Sequence, residues 1–211
     1  MMTSSILVAA RALLALAIVV WAGQAAAQDF RDQDLSGTTF DGFDFSGADF
    51  TGADLSDAAF LNCDLSGANL SSTRLDGTAF ADSNLQGASF AGSVSQSGLT
   101  FARTELQNVI ATPVLWDTAA IVASQCEGID FTASGLVQIE ISNSDCPGAN
   151  FFLIDGLRGL FRGSNLTGAS FEQAILTTAN FESANLTNAN FVNAIIDGAN
   201  FRLATTDGIQ F

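Results

Sequence analysis

The sequence predicts an all-β solenoid, and three observations carry that prediction. Large apolar residues recur every five positions, as at Phe45, Phe50, Leu55 and Phe60 in "DFSGADFTGADLSDAAF". A helix repeats at 3.6 residues and a half-buried strand at 2, so a period of five demands another geometry. A small residue stands two positions before most of these centres, at Ala48, Ala53 and Ala58. Residues two apart in an extended segment share a side, so each centre and its small neighbour face inward together. Asp44, Asp49 and Asp54, between them, face out. Ser or Thr follows many of the early centres, often with Gly, as at Gly47 and Gly52. That is turn chemistry. Each unit is thus a short extended side and a corner. A single side cannot bury its own face, so stacked coils must supply the core.

The frame runs from Phe30 to Phe90 through 13 consecutive centres. It then slips once within 91–100: the frame calls for a centre at Thr100, and the large apolar residue is Phe101 instead. The shifted frame continues through Phe171, Phe181, Leu186 and Phe191 to Phe201, and Phe211 falls on a centre. The stretch 107–125, "QNVIATPVLWDTAAIVASQ", loses the consensus and contains Pro113. Yet the interval from Leu106 to Cys126 is four whole units, with Val109, Val114, Ala119 and Ser124 two before their centres. It therefore reads as a degenerate coil.

"GADFTGADLSDAAF" and "ESANLTNANFVNA" (182–194) resemble the pentapeptide-repeat family, whose unit is approximately A-(D/N)-L-x-x. The resemblance implies a right-handed, four-sided β-helix, each coil made of four such units. Residues 28–211 would form one such domain of about nine coils, about 43 Å long at the spacing of paired strands.

Residues 1–27 belong to another regime. Arg11 precedes an apolar run from Ala12 to Gly23, and Ala25–Ala27 follow as small residues. This pattern predicts a secretory signal peptide cleaved before Gln28. The rival, an uncleaved anchor, would need roughly 20 apolar residues. Export would place the protein in the periplasm or outside the cell. The chain has a formal charge of -15, with no Lys, His or Tyr. Such acidity disfavours nucleic acid and anionic membranes as partners.

Catalysis is not expected. Without histidine the commonest general base and metal ligand is missing, and the repeat itself accounts for the many Asp and Ser residues. No cofactor and no metal site are expected. Stacked acids such as Asp34 and Asp54, or Asp44 and Asp64, read as a solvated face; the calcium-binding nonapeptide of other β-helices is absent. Cys126 and Cys146 are both centres, four units apart, and so stack in adjacent coils. They are either a disulfide, about 4.8 Å between Cα atoms, or two reduced core thiols. Cys63 should stay unpaired. In "FFLIDGLRGLFRG" (151–163), Phe152, Leu153, Leu157 and Leu160 occupy positions that are polar elsewhere, and Gly156 replaces a centre. They read either as an interaction patch edged by Arg158 and Arg162 or as local repacking.

The expected function is an exported, non-catalytic scaffold that binds a protein or envelope partner. Self-association through the carboxy-terminal coil, which ends on Phe211, is expected as well. The family resemblance implies an alternative: a cytoplasmic DNA mimic that binds a type II topoisomerase such as gyrase. Twenty-two acids over about 43 Å approach the charge spacing of duplex DNA.

Overall fold

The computed structural model describes residues 28–211; the segment read as a signal peptide lies outside the described residues. All regular structure among them is β. Eight short strands are β1 (Thr39–Asp41), β2 (Ala59–Leu61), β3 (Ala79–Ala81), β4 (Val94–Ser95), β5 (Thr100–Ala102), β6 (Leu115–Trp116), β7 (Ala120–Val122) and β8 (Glu140–Ser142). Six of them form one parallel sheet in the order β1-β2-β3-β5-β7-β8, and β4 pairs with β6. The strands span five steps of the coil, and single-residue bridges carry the ladder to both ends. One column runs Asp29, Asp49, Asn69, Ser89, Ile110, Asp130, Asn150, Ser170, Asn190, Gln210. Four such columns make a four-sided tube. Side 1 carries the centres Phe30 and Phe50, side 2 Leu35 and Leu55, side 3 Phe40 and Phe60, and side 4 Phe45 and Leu65.

The register locates the inserted residue. Phe60 pairs with Phe80 at a step of 20, but Phe80 pairs with Phe101 at a step of 21. Ser95 still pairs with Trp116, so the extra residue sits in the following corner, where Gly98 has φ +77°. Residues 107–125 close a full coil. They contain β6 and β7, and bridges tie Glu105 to Gln125 and Ile110 to Asp130.

The core shows why the centres are so regular. Phenylalanine dominates sides 1 and 3, which face each other, whereas leucine dominates sides 2 and 4. Phe rings stack one coil above another, with centroids 4.7 Å apart for Phe151 and Phe171 and 4.8 Å for Phe161 and Phe181. Across the tube they meet edge to face, as Phe161 and Phe171 do at 5.5 Å and 84°. Each such pair contributes about 0.5–1.5 kcal/mol beyond the apolar area it buries.

Departures from the consensus compensate one another. Ser95 leaves room for Trp116, which is fully buried and donates its indole N–H to Ser93 Oγ at 3.0 Å. At Gly156 the space of a side chain is filled by Ile154 and Leu176, which a Cβ there would meet at 3.0 and 3.1 Å. On side 4, buried Ser124, Ser144 and Ser164 stand two before their centres. Ser144 Oγ accepts from the Ser124 amide and Ser164 Oγ from the Ser144 amide, each at 3.2 Å, so hydroxyls extend the ladder inside the tube.

The corners explain the outward Asp and Asn. Asp54 Oδ1 accepts the amide of Ser56 at 3.0 Å, Asp64 that of Ser66 at 2.9 Å, and Asn180 that of Glu182 at 2.9 Å. A short acceptor at this position satisfies a corner amide that the ladder leaves open.

Candidate interaction surface

Corner bonds and ion pairs engage several of the acidic side chains. Asp29 is held at about 2 by the Arg31 guanidinium, which binds it at 2.7 Å. Hydrogen bonds from Ser46 lower Asp44, and Arg103, 2.6 Å away, lowers Asp82. These groups stay ionised at neutral pH, the opposite of what a general acid needs. Burial pushes the Cys63 thiol up, so it is a poor nucleophile, and it is the free cysteine among the described residues. Among the described residues no cluster of three or more His, Cys, Asp or Glu could hold a metal ion. No helix among them is long and apolar enough to cross a membrane.

Cys126 and Cys146 stack on side 4, both fully buried, with Cα atoms 4.3 Å apart and sulfurs in bonding contact. The columns put Asp34 beside Asp54, Asp44 beside Asp64 and Asp29 beside Asp49, and then give way to Arg74, Asn84 and Asn69. The centres Phe45, Phe50, Leu55, Phe60, Phe171, Phe181 and Leu186 are fully buried, and Phe191 is 2% exposed.

Phe152, Leu153, Leu157 and Leu160 are spread over three successive sides. Phe152 lies on side 1, Leu153 on the corner between sides 1 and 2, Leu157 on side 2 and Leu160 on side 3. Leu153 is the exposed member, at 49%; the other three are half-buried. Arg158 and Arg162 are exposed and make no ion pair with any described residue.

A larger apolar surface comes from residues that lie whole coils apart. On side 2 the outward column begins Asp34, Asp54, Arg74 and continues Val94, Leu115, Gly135, Asp155, Ile175, Ile195. Val94, Leu115, Ile175 and Ile195 are all exposed, Leu115 most of them at 62%. Half-buried Val137 and Leu157 share that side. An apolar hollow lined by Val94, Pro113, Leu115 and Ala133 opens beside it. The coil that lost the consensus therefore supplies the most exposed part of this surface. Reading the sequence one coil per row would have found it; reading neighbouring residues does not.

A parallel, four-sided β-solenoid of five-residue units, with phenylalanine and leucine inside and Asp or Asn at the corners, defines a class of protein. Residues 27–111 match the description "Pentapeptide repeat region", and 161–202 match "Pentapeptide repeats" in eight copies. The chain belongs to the pentapeptide-repeat family. Among solved structures it is similar to HetL, a pentapeptide repeat protein involved in heterocyst differentiation regulation in the cyanobacterium Nostoc sp. strain PCC 7120. The identity is 19% over 92% of this chain and 94% of that one, with a TM-score of 0.56. Rfr23 from the cyanobacterium Cyanothece 51142 is 30% identical over 47% of this chain and 61% of that one, at a TM-score of 0.23. QnrB1, a plasmid-mediated fluoroquinolone resistance protein, is 19% identical over 80% and 89%, at 0.33. HetL supports the fold alone. No curated protein matches this chain.

Proposed function

We propose that the protein is an exported, non-catalytic interaction module that acts in the periplasm or outside the cell. One observation carries the interaction reading: the acidic side chains serve as corner caps, while exposed aliphatic residues line up along side 2. A monomeric rod gains nothing from such residues at positions that elsewhere are Asp or Asn. Export rests on the charged-then-apolar start of the chain and its small residues at Ala25–Ala27. The stacked Cys126 and Cys146 fit it, since an oxidising compartment favours a disulfide there.

The cytoplasmic alternative, a DNA mimic that binds a type II topoisomerase, draws its support from the density of acids: 22 in the chain against 7 basic residues. One experiment separates the two. Cell fractionation followed by intact-mass analysis should find the protein in the envelope or medium, beginning near Gln28 and about 2 Da lighter than its three-thiol form. Intact Met1 in the cytosol with three free thiols would overturn export and favour the mimic.

A further inference from the structure

We propose that side 2 is a self-association surface: two copies pack face to face along it, antiparallel, between the fourth coil and the carboxy-terminal end. This deepens the interaction reading above by naming the partner as a second copy of this chain.

The surface is a row of aliphatic residues set at the coil spacing. Val94, Leu115, Ile175 and Ile195 lie in one bridge column, and Val137 and Leu157 fill the neighbouring outward positions where the column has Gly135 and Asp155. From Val94 to Ile195 the column makes five steps, about 24 Å at the spacing of paired strands. A partner that seats side chains row for row along this length needs the same repeat. A second copy has it.

Charge decides the direction. Parallel copies face each other through a two-fold axis along the rod, which reverses the strands. Asp117, Asp155 and Asp197 would then lie against the aliphatic Leu115, Leu157 and Ile195 of the other copy, and carboxylates buried against apolar groups are costly. With antiparallel copies centred between the rows of Gly135 and Asp155, each acid of the shared rows faces an uncharged residue. Asp155 meets Gly135 of the other copy, Asp117 meets Thr177, and Asp197 falls in the row of Val94. Leu115 then lies against Ile175, and Val137 against Leu157. The acidic rows of Asp34 and Asp54 lie outside the shared rows. The contact is small, so the dimer belongs with weak, concentration-dependent associations.

The test is sedimentation equilibrium of the mature protein over a hundredfold range of concentration, with electron-spin distance measurements on a label at Thr39→Cys. Thr39 is exposed in the first coil, off the contact. The expected result is a monomer–dimer equilibrium with a label separation of about 50–55 Å, eleven coil steps. Leu115→Asp with Ile175→Asp should weaken the dimer at least tenfold while circular dichroism stays unchanged, and removing 202–211 should leave it in place. A monomer at every concentration would overturn the inference. So would a separation of about 80 Å, the distance that contact through the chain ends gives at the same coil spacing. A dimer indifferent to the double substitution would overturn it as well. None of these outcomes bears on export, which the amino-terminal analysis tests separately.

Discussion

The coils of 161–202 and the coil of 107–125 have almost nothing in common as sequence, yet they share one backbone. In 161–202 the residue before the centre is polar at Asn165, Ser170, Asn180, Asn185, Asn190 and Asn200, with Ile175 and Ile195 as the exceptions on side 2, and Phe161, Phe171 and Phe181 alternate with Leu166, Leu176 and Leu186. In 107–125 the same outward positions hold Ile110 and Leu115, and the inward ones Ala111, Trp116 and Ile121. Both keep the ladder: Phe161 donates to Asn180 at 2.7 Å, and Ala111 to Asp130 at 2.8 Å. The difference separates two jobs within one repeat. Inward volume and the constant coil step fix the tube, whereas outward letters cap corners where they are polar and make a surface where they are not.

Four substitutions separate these two jobs. The largest effect should come from the inside of a consensus coil. Phe181 is fully buried between Phe161 and Phe201, with ring centroids at 4.8 and 5.1 Å, so Phe181→Ala should cost about 3–5 kcal/mol in denaturant unfolding. Asn180→Ala, one residue away but outward, loses the cap on the Glu182 amide and should cost about 1 kcal/mol. Equal effects would mean that the inward and outward assignment is wrong.

A smaller effect belongs to the corners. Asp54→Ala leaves the Ser56 amide to water and should lower stability by about 0.5–1.5 kcal/mol. Leu115→Ser, at the matching outward position of the degenerate coil, caps nothing and should change monomer stability by less than about 0.5 kcal/mol. Thermal melts at a concentration low enough to hold the protein monomeric check both. A large loss at Leu115 would make that residue part of the core.

Much of this was legible in the sequence because the repeat is strict. Phe45, Phe50 and Leu55 announce the inward positions by their spacing, and Leu106 to Cys126 shows that the unusual stretch still measures one coil. What escaped needs the third dimension. The opposition of Phe on sides 1 and 3 appears only once four units are known to close a turn. Compensation between Ser95 and Trp116, or between Gly156 and Ile154, joins residues whose partners cannot be told from spacing alone. Phe152 to Leu160 look like neighbours along the chain, but the chain turns two corners between them. Val94, Leu115, Ile175 and Ile195 are far apart in sequence and form one row in space.

The degenerate coil is as fully part of the solenoid as the consensus coils. Native-state hydrogen exchange reads this residue by residue. The amides of Ala111, Trp116 and Cys126 donate to Asp130, Gly135 and Asp145 at 2.8, 2.9 and 2.7 Å, and those of Phe161 and Phe171 to Asn180 and Asn190 at 2.7 Å. All five should exchange only through global unfolding, with protection factors within about tenfold of one another. Exchange about a hundredfold or more faster at Ala111 and Trp116 than at Phe161 and Phe171 would mean that 107–125 opens on its own and is not an integral coil.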